Sequence, residues 1–194
     1  MAHPAPTSEP LDPRRLNVEQ YFALVDEGVL AEDDHVELLE GVVVAMPPSG
    51  PLHATVTYLV EEALRKALGE RAAVRGQGTF IAGTYSAPEP DVLVVAGRLR
   101  DYTRQHPSEA LLAVEVSDSS LLSDRLSKSR TYAANGVPEY WIVNLRDQQV
   151  EVMRDPVREL AVYRTQTIVG RGDQLRLVTF PDVVIAVADL LPDA

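Results

Sequence analysis

Apolar and polar positions follow two different periods along the chain. Val56, Leu59, Val60, Ala63, Leu64, Ala67 and Leu68 recur at the three- and four-residue spacing of one helix face, predicting an amphipathic helix of about four turns. Asn17 is placed to cap a shorter helix over 18–27, which Gly28 ends. Residues 36–46 read as a hairpin turning at Glu40-Gly41, and the proline-rich 47–51 as a loop. Strands are predicted over 73–81, 91–96, 111–116 and 140–143, and the last three are too apolar to have a wet face. Residues 123–134 read as a helix stopped by Asn135-Gly136. Shorter alternating strands follow around 150–153, 160–163, 175–178 and 183–187. Residues 1–16 hold four prolines and no apolar period, so a disordered or loosely docked tail is expected, with 17–194 as a single domain.

Strands that are apolar on both sides need a layer on each face, so the predicted fold is a three-layer α/β/α core. The helix between the strands at Leu111 and Tyr140 implies a parallel crossover, and the terminal strands a meander that extends the sheet or forms a dimer surface. The chain has no cysteine, which excludes a disulfide framework and a thiolate zinc site. No apolar run approaches the ~20 residues of a membrane span, so a cytoplasmic location and no membrane partner are expected. The net charge is −11, which weighs against casual binding to polyanions. Residues 1–70 carry 13 acidic and 4 basic side chains, whereas 71–194 carry 16 and 14, so the segment with the buried strands is nearly neutral.

Two carboxylates interrupt those strands. A charge in a buried strand is costly unless it is paired or binds a metal. Strand alternation puts Leu111, Ala113, Glu115 and Ser117 on one face, so Glu115 projects from apolar surroundings near the strand's C-terminal end, where ligand sites of open α/β sheets lie. Asp91 opens its strand after Pro88-Glu89-Pro90. Only two of the eighteen basic residues are lysines, Lys66 and Lys128, and Lys128 falls on the helix after Glu115. The bland alternatives are a turn role for Asp91, an arginine partner for Glu115, and a surface Asp124–Lys128 pair at i, i+4 worth roughly 0.3–0.5 kcal/mol. No phosphate-binding glycine loop, histidine metal spacing or GxSxG elbow offers a competing chemistry.

Pro90-Asp91, Glu115-Val116-Ser117 and Lys128 resemble the PD-(D/E)xK nuclease superfamily with one departure. Ser117 stands where the lysine usually follows the second acid, and Lys128 looks like a migrated lysine supplied by the next helix. The wider pattern is similar to a bacterial putative restriction endonuclease family, formerly a domain of unknown function. It comprises Glu37-Leu38-Leu39-Glu40-Gly41, His53, Pro90-Asp91-Val92, Val114-Glu115-Val116-Ser117, the Asp124 to Lys128 spacing and the run Gly136 to Val143. The resemblance covers roughly residues 17–190. It implies a restriction-endonuclease-like fold with a mixed sheet, a divalent metal, a DNA substrate and a homodimer.

On that resemblance Asp91 and Glu115 hold Mg²⁺ or Mn²⁺, joined by the Val116 carbonyl, and Lys128 orients the attacking water or neutralises the phosphate. Glu37 is a candidate third carboxylate on the rim, and His53 a candidate contact to substrate. The leading expectation is therefore a metal-dependent DNA endonuclease. The alternative is a catalytically silent dimeric binding or assembly module that keeps the fold while its acids serve structure.

Overall fold

The computed structural model describes residues 15–31, 34–46 and 48–192. The predicted tail lies outside the described residues up to position 14, as does Pro47 of the predicted loop. Its last two residues pack onto the domain: the Leu16 N–H donates to the Gly41 carbonyl at 3.0 Å, and the Arg15 guanidinium lies over the Tyr85 ring.

Helix α1 (Val18–Asp26) starts at a full capping box, Asn17 accepting from the Gln20 N–H and the Gln20 side chain from the Asn17 N–H. Strands β1 (Val36–Leu39) and β2 (Val42–Ala45) form the predicted hairpin. Glu40 and Gly41 both have positive φ, 49° and 83°, as a two-residue turn matched to strand twist requires. Helix α2 (Pro51–Leu68) begins a turn earlier than its apolar period suggests. Pro51 sits at the first helical position, where its missing N–H costs nothing.

Strand β3 (Ala73–Gly76) is shorter than the predicted 73–81. Gln77 adopts φ 43° and turns the chain, and residues 77–90 cross a sheet face, carrying Phe80 and Ala82 into the core. Strands β4 (Val92–Val95) and β5 (Leu112–Ser117) follow. Helix α3 (Leu121–Ser123) then passes through a π-helical turn, Asp124–Lys128, into α4 (Ser129–Ala134). Strands β6 (Glu139–Asn144), β7 (Gln149–Val157), β8 (Val162–Gly170), β9 (Gln174–Arg176) and β10 (Val184–Ala186) complete the chain. The strand expected over 160–163 is displaced: Leu160 lies in a 3₁₀ turn, and β8 continues to Gly170. β8 is an edge strand without a fully buried face, so its apolar alternation fades beyond Tyr163.

Six strands form one mixed sheet in the order β3-β4-β5-β6-β7-β8. Only β5 and β6 run parallel, as the helical connection between them predicts. On one face Val56, Val60, Leu64 and Leu68 of α2 pack against Val94, Val114 and Trp141, with Leu175 and Ile185 added by the β9–β10 hairpin. On the other, Tyr132, Val137 and Phe80 cover Leu93, Ala113, Tyr140 and Ile142. The three-layer α/β/α architecture follows. The alternation that isolates Glu115 holds from Leu112 onward, whereas Leu111 lies before the strand and packs on the α2 side.

Leu64 is fully buried beneath the sheet, while Tyr58 on the same helix is 70% exposed. Leu64→Ala is expected to cost ~2–5 kcal/mol in denaturant unfolding, and Tyr58→Ser to stay within about 0.5 kcal/mol. Equal effects would contradict the placement of α2.

Candidate active site

The C-terminal end of β5 and the start of β4 meet beside the π turn, and five elements deliver charged groups there. Glu115 points into the layer that α4 covers and is 4% exposed. Its Oε1 accepts a hydrogen bond from the Tyr132 hydroxyl at 2.7 Å and lies 3.1 Å from the Lys128 ammonium. Lys128 is 7% exposed and also lies 3.1 Å from Glu37 Oε2. Glu37 comes from β1, which the bridge between Leu38 and Ala87 fastens to the 77–90 segment. Its Oε2 also accepts from the Glu89 N–H at 3.0 Å.

Asp91 stands where β4 begins. Its Oδ2 accepts from the Val116 N–H at 2.7 Å, because β4 pairs with β5 only up to Val114 and leaves that N–H free. The N–H and C=O of one strand residue point to the same side, so the Val116 carbonyl is directed towards Asp91 as well. His53, in the first turns of α2, places Nε2 3.2 Å from Asp91 Oδ2, and its Nδ1 is buried without a hydrogen-bond partner. Asp124 is buried behind this group. It accepts from the Ser120 hydroxyl at 2.7 Å, and Ser120 in turn lies 3.4 Å from the Ser117 hydroxyl. Ser117 thus belongs to a hydroxyl chain ending on Asp124.

The electrostatics follow from the shared burial. Burial alone would lower the Lys128 pKa, but the carboxylates of Glu115, Glu37 and Asp124 outweigh it and hold the ammonium charged. Burial pushes the Glu115 carboxyl well above the usual range, Lys128 pulls it back, and Asp91, Asp124 and Glu37 push it up again. Burial likewise raises Asp124, against its hydroxyl bonds. The hydrogen bond to Asp91 raises His53 despite burial, and the Val116 main chain adds to the effect. Four carboxyl groups, Asp91, Glu115, Glu37 and Asp124, thus share the cluster with one ammonium and the His53 imidazole.

The expected residues Asp91, Glu115, Val116, Lys128, His53 and Glu37 all converge here, with one bland alternative set aside and one difference from the sequence reading. Lys128 is not in a surface i, i+4 ion pair with Asp124: both residues are buried, and the ammonium lies against Glu115 and Glu37. Glu37 is not a rim residue: it is 4% exposed and faces Lys128. Tyr132 was not anticipated, although it lies four residues beyond Lys128 and so on the same helix face.

The donor set suits a hard divalent cation: two carboxylates and a directed carbonyl around a site that already draws the His53 imidazole. Among the described residues no group of three or more histidine, aspartate or glutamate side chains stands close enough together to hold a metal ion.

A family model described as Uma2, putative restriction endonuclease, matches residues 18–188. The fold is similar to the crystal structure of a putative nuclease belonging to DUF820 from Anabaena variabilis, with TM-score 0.70 and 12% identity over 90% of this chain and 97% of that one. No curated protein matches the chain.

Because the folded pKa of Lys128 lies above its ordinary 10.5, its stabilising contribution is fully present below that value and is lost only in strong alkali. Lys128→Ala leaves Glu115 and Glu37 buried without their cation, which typically costs ~3–5 kcal/mol. That cost is expected at pH 8 and should shrink at pH 5 as the Glu115 carboxyl, pushed up by burial, takes up a proton. A loss of no more than about 0.5 kcal/mol at pH 8 in urea unfolding would put the ammonium on the surface instead.

Proposed function

The chain belongs to the Uma2 putative restriction endonuclease family, and on that premise we propose that it is a divalent-metal-dependent DNA endonuclease acting at the Lys128 cluster. The observation that carries this reading is one buried ammonium shared by Glu115 and Glu37 beside Asp91. A structural ion pair needs one acid for its base. Four carboxyl groups gathered around one lysine and one histidine outnumber their cationic partners, and Mg²⁺ or Mn²⁺ would stabilise the ionised form that burial disfavours in Glu115.

Asp91, Glu115 and the Val116 carbonyl would hold the ion, which when bound polarises the scissile phosphate and acidifies the attacking water. The remaining work falls to the chain's own groups. Lys128 is anchored by Glu37, so its ammonium is already oriented when charge builds on the phosphate, and no reorganisation is needed at that moment. Glu37 serves as that anchor, since its Oε2 is committed to Lys128 and to the Glu89 N–H. Tyr132 fixes the Glu115 carboxylate. His53 is the most exposed of the group, with 20% of its side chain open, and contacts the substrate phosphate. The net charge of −11 is not an obstacle, because its excess sits in residues 1–70.

Supercoiled plasmid incubated with the protein is expected to be nicked or linearised with Mg²⁺ or Mn²⁺ and untouched in EDTA. Lys128→Ala should cut turnover by roughly 10²–10³-fold, at a temperature where the variant remains folded. Lys128→Arg should not fully restore it, because a planar guanidinium cannot replace a compact ammonium. Ser117→Lys in the Lys128→Ala background should recover part of the activity. Intact plasmid in both metals would favour the catalytically silent binding or assembly module.

The protein is also proposed to be a homodimer. β8 offers a nine-residue sheet edge with exposed Val162 and Ile168, and such edges are usually covered. Light scattering at micromolar concentration should give twice 21.3 kDa, and a value near 21.3 kDa would count against it.

A further inference from the structure

The helical connection between β5 and β6 changes its hydrogen-bond register immediately before Lys128. The Ser129 N–H donates to the Asp124 carbonyl five residues back, so the turn Asp124–Lys128 holds one residue more than an α-helical turn. One inserted residue rotates everything after it by about 100°. Leu121–Ser123, before the insertion, bury no side chain, whereas Asp124 and Lys128 are both buried. At the insertion the lysine turns under the helix towards Glu115 and Glu37. A π turn gives up regular hydrogen bonding, so something outside the helix must hold it.

Two strands supply that hold. The Tyr140 hydroxyl of β6 donates to the same Asp124 carbonyl at 3.2 Å. Arg125, inside the turn, makes a forked ion pair with Glu151 of β7, Nε to Oε2 at 2.8 Å and Nη2 to Oε1 at 2.5 Å. Glu151 is 1% exposed and is itself fixed by the Asn144 side-chain amide at 3.0 Å, so the anchor point is rigid while Arg125 reaches it from the surface. Neither residue touches Asp91, Glu115 or His53 among the contacts of the described residues.

We infer that the Arg125–Glu151 fork is a positioning device: it pins the π turn to β7 and thereby sets the rotation that delivers the Lys128 ammonium to Glu115 and Glu37. The inference rests on the reading of Lys128 as part of the site, but it concerns where the ammonium lies and can be tested without any nuclease activity. Lys66 and Lys128 are the only lysines in the chain, and Lys66 is exposed on α2. Acetylation of the folded protein followed by peptide mass spectrometry therefore reads Lys128 directly, with Lys66 as the internal standard.

In the wild type Lys128 is expected to react at least about tenfold more slowly than Lys66, as its burial and charge pairing require. In Arg125→Met/Glu151→Leu, which replaces the pair by apolar groups of similar size, Lys128 acetylation should rise about tenfold while Lys66 stays unchanged and the melt remains cooperative. A Lys128 that stays protected in this folded variant overturns the inference. If the double variant does not fold, Glu151→Gln decides: it keeps the shape and the Asn144 contact but weakens the fork. Lys128 reactivity should then rise about threefold, and no rise overturns the proposal. Plasmid cleavage run in parallel separates the two claims. Lost protection of Lys128 in a protein that never cleaves DNA would sink the nuclease reading and leave the positioning role standing.

Discussion

A single ammonium buried between two carboxylates sets the terms for the surrounding structure. Lys128 lies 3.1 Å from both Glu115 and Glu37, and each group is almost wholly removed from water. Taking three charges out of water costs several kcal/mol per ion unless their geometry is good and their remaining valences are filled. The neighbouring contacts fill them. Tyr132 donates to Glu115, the Glu89 main chain donates to Glu37, and the π turn aims the lysine. The β1–β2 hairpin, otherwise peripheral to the six-stranded sheet, is tied to it through Leu38 and Ala87 and so brings Glu37 within reach. The fold gathers charge at one point and spends apolar packing on both faces of the sheet to keep it there.

Lys128 does not neutralise that point. Asp91 and Asp124 add two more carboxyl groups, and burial pushes those of Glu115 and Asp124 up, towards their protonated forms. Asp91 is answered by the Val116 N–H and by His53. This imbalance separates the proposed cation site from a structural ion-pair network such as Glu139, which meets the Arg154 guanidinium, the Trp141 indole N–H and the Val178 N–H in one satisfied cluster. Both are buried, and only the first has acid left over.

Much of this was legible in the amino-acid sequence, for a physical reason. A carboxylate inside a near-continuous apolar run must be paired or functional, so Asp91 and Glu115 stood out against Val92–Val95 and Leu112–Val116, and the scarcity of lysine drew notice to Lys128. The mixed three-layer core followed from strands with no wet face. Hydrogen-bond register inside a helix leaves no trace in apolar periodicity, so the π turn was hidden and an ordinary i, i+4 pair of Asp124 and Lys128 stayed open as an alternative. The depth of Glu37 was hidden too, because a short amphipathic hairpin looks the same whether its polar face meets water or a buried lysine. β8 escaped beyond Tyr163 because an edge strand need not alternate apolar residues.

The central claim is that Asp91, Glu115 and the Val116 carbonyl form the cation site and Lys128 stands beside it. Diffraction from a Mn²⁺-soaked crystal at the manganese absorption edge tests this most directly. The account predicts one anomalous peak bonded to carboxylate oxygens of Asp91 and Glu115 and to the Val116 carbonyl, with the Lys128 ammonium still paired to Glu37. Anomalous density confined to exposed carboxylates elsewhere, with the pocket empty under saturating Mn²⁺, would contradict it.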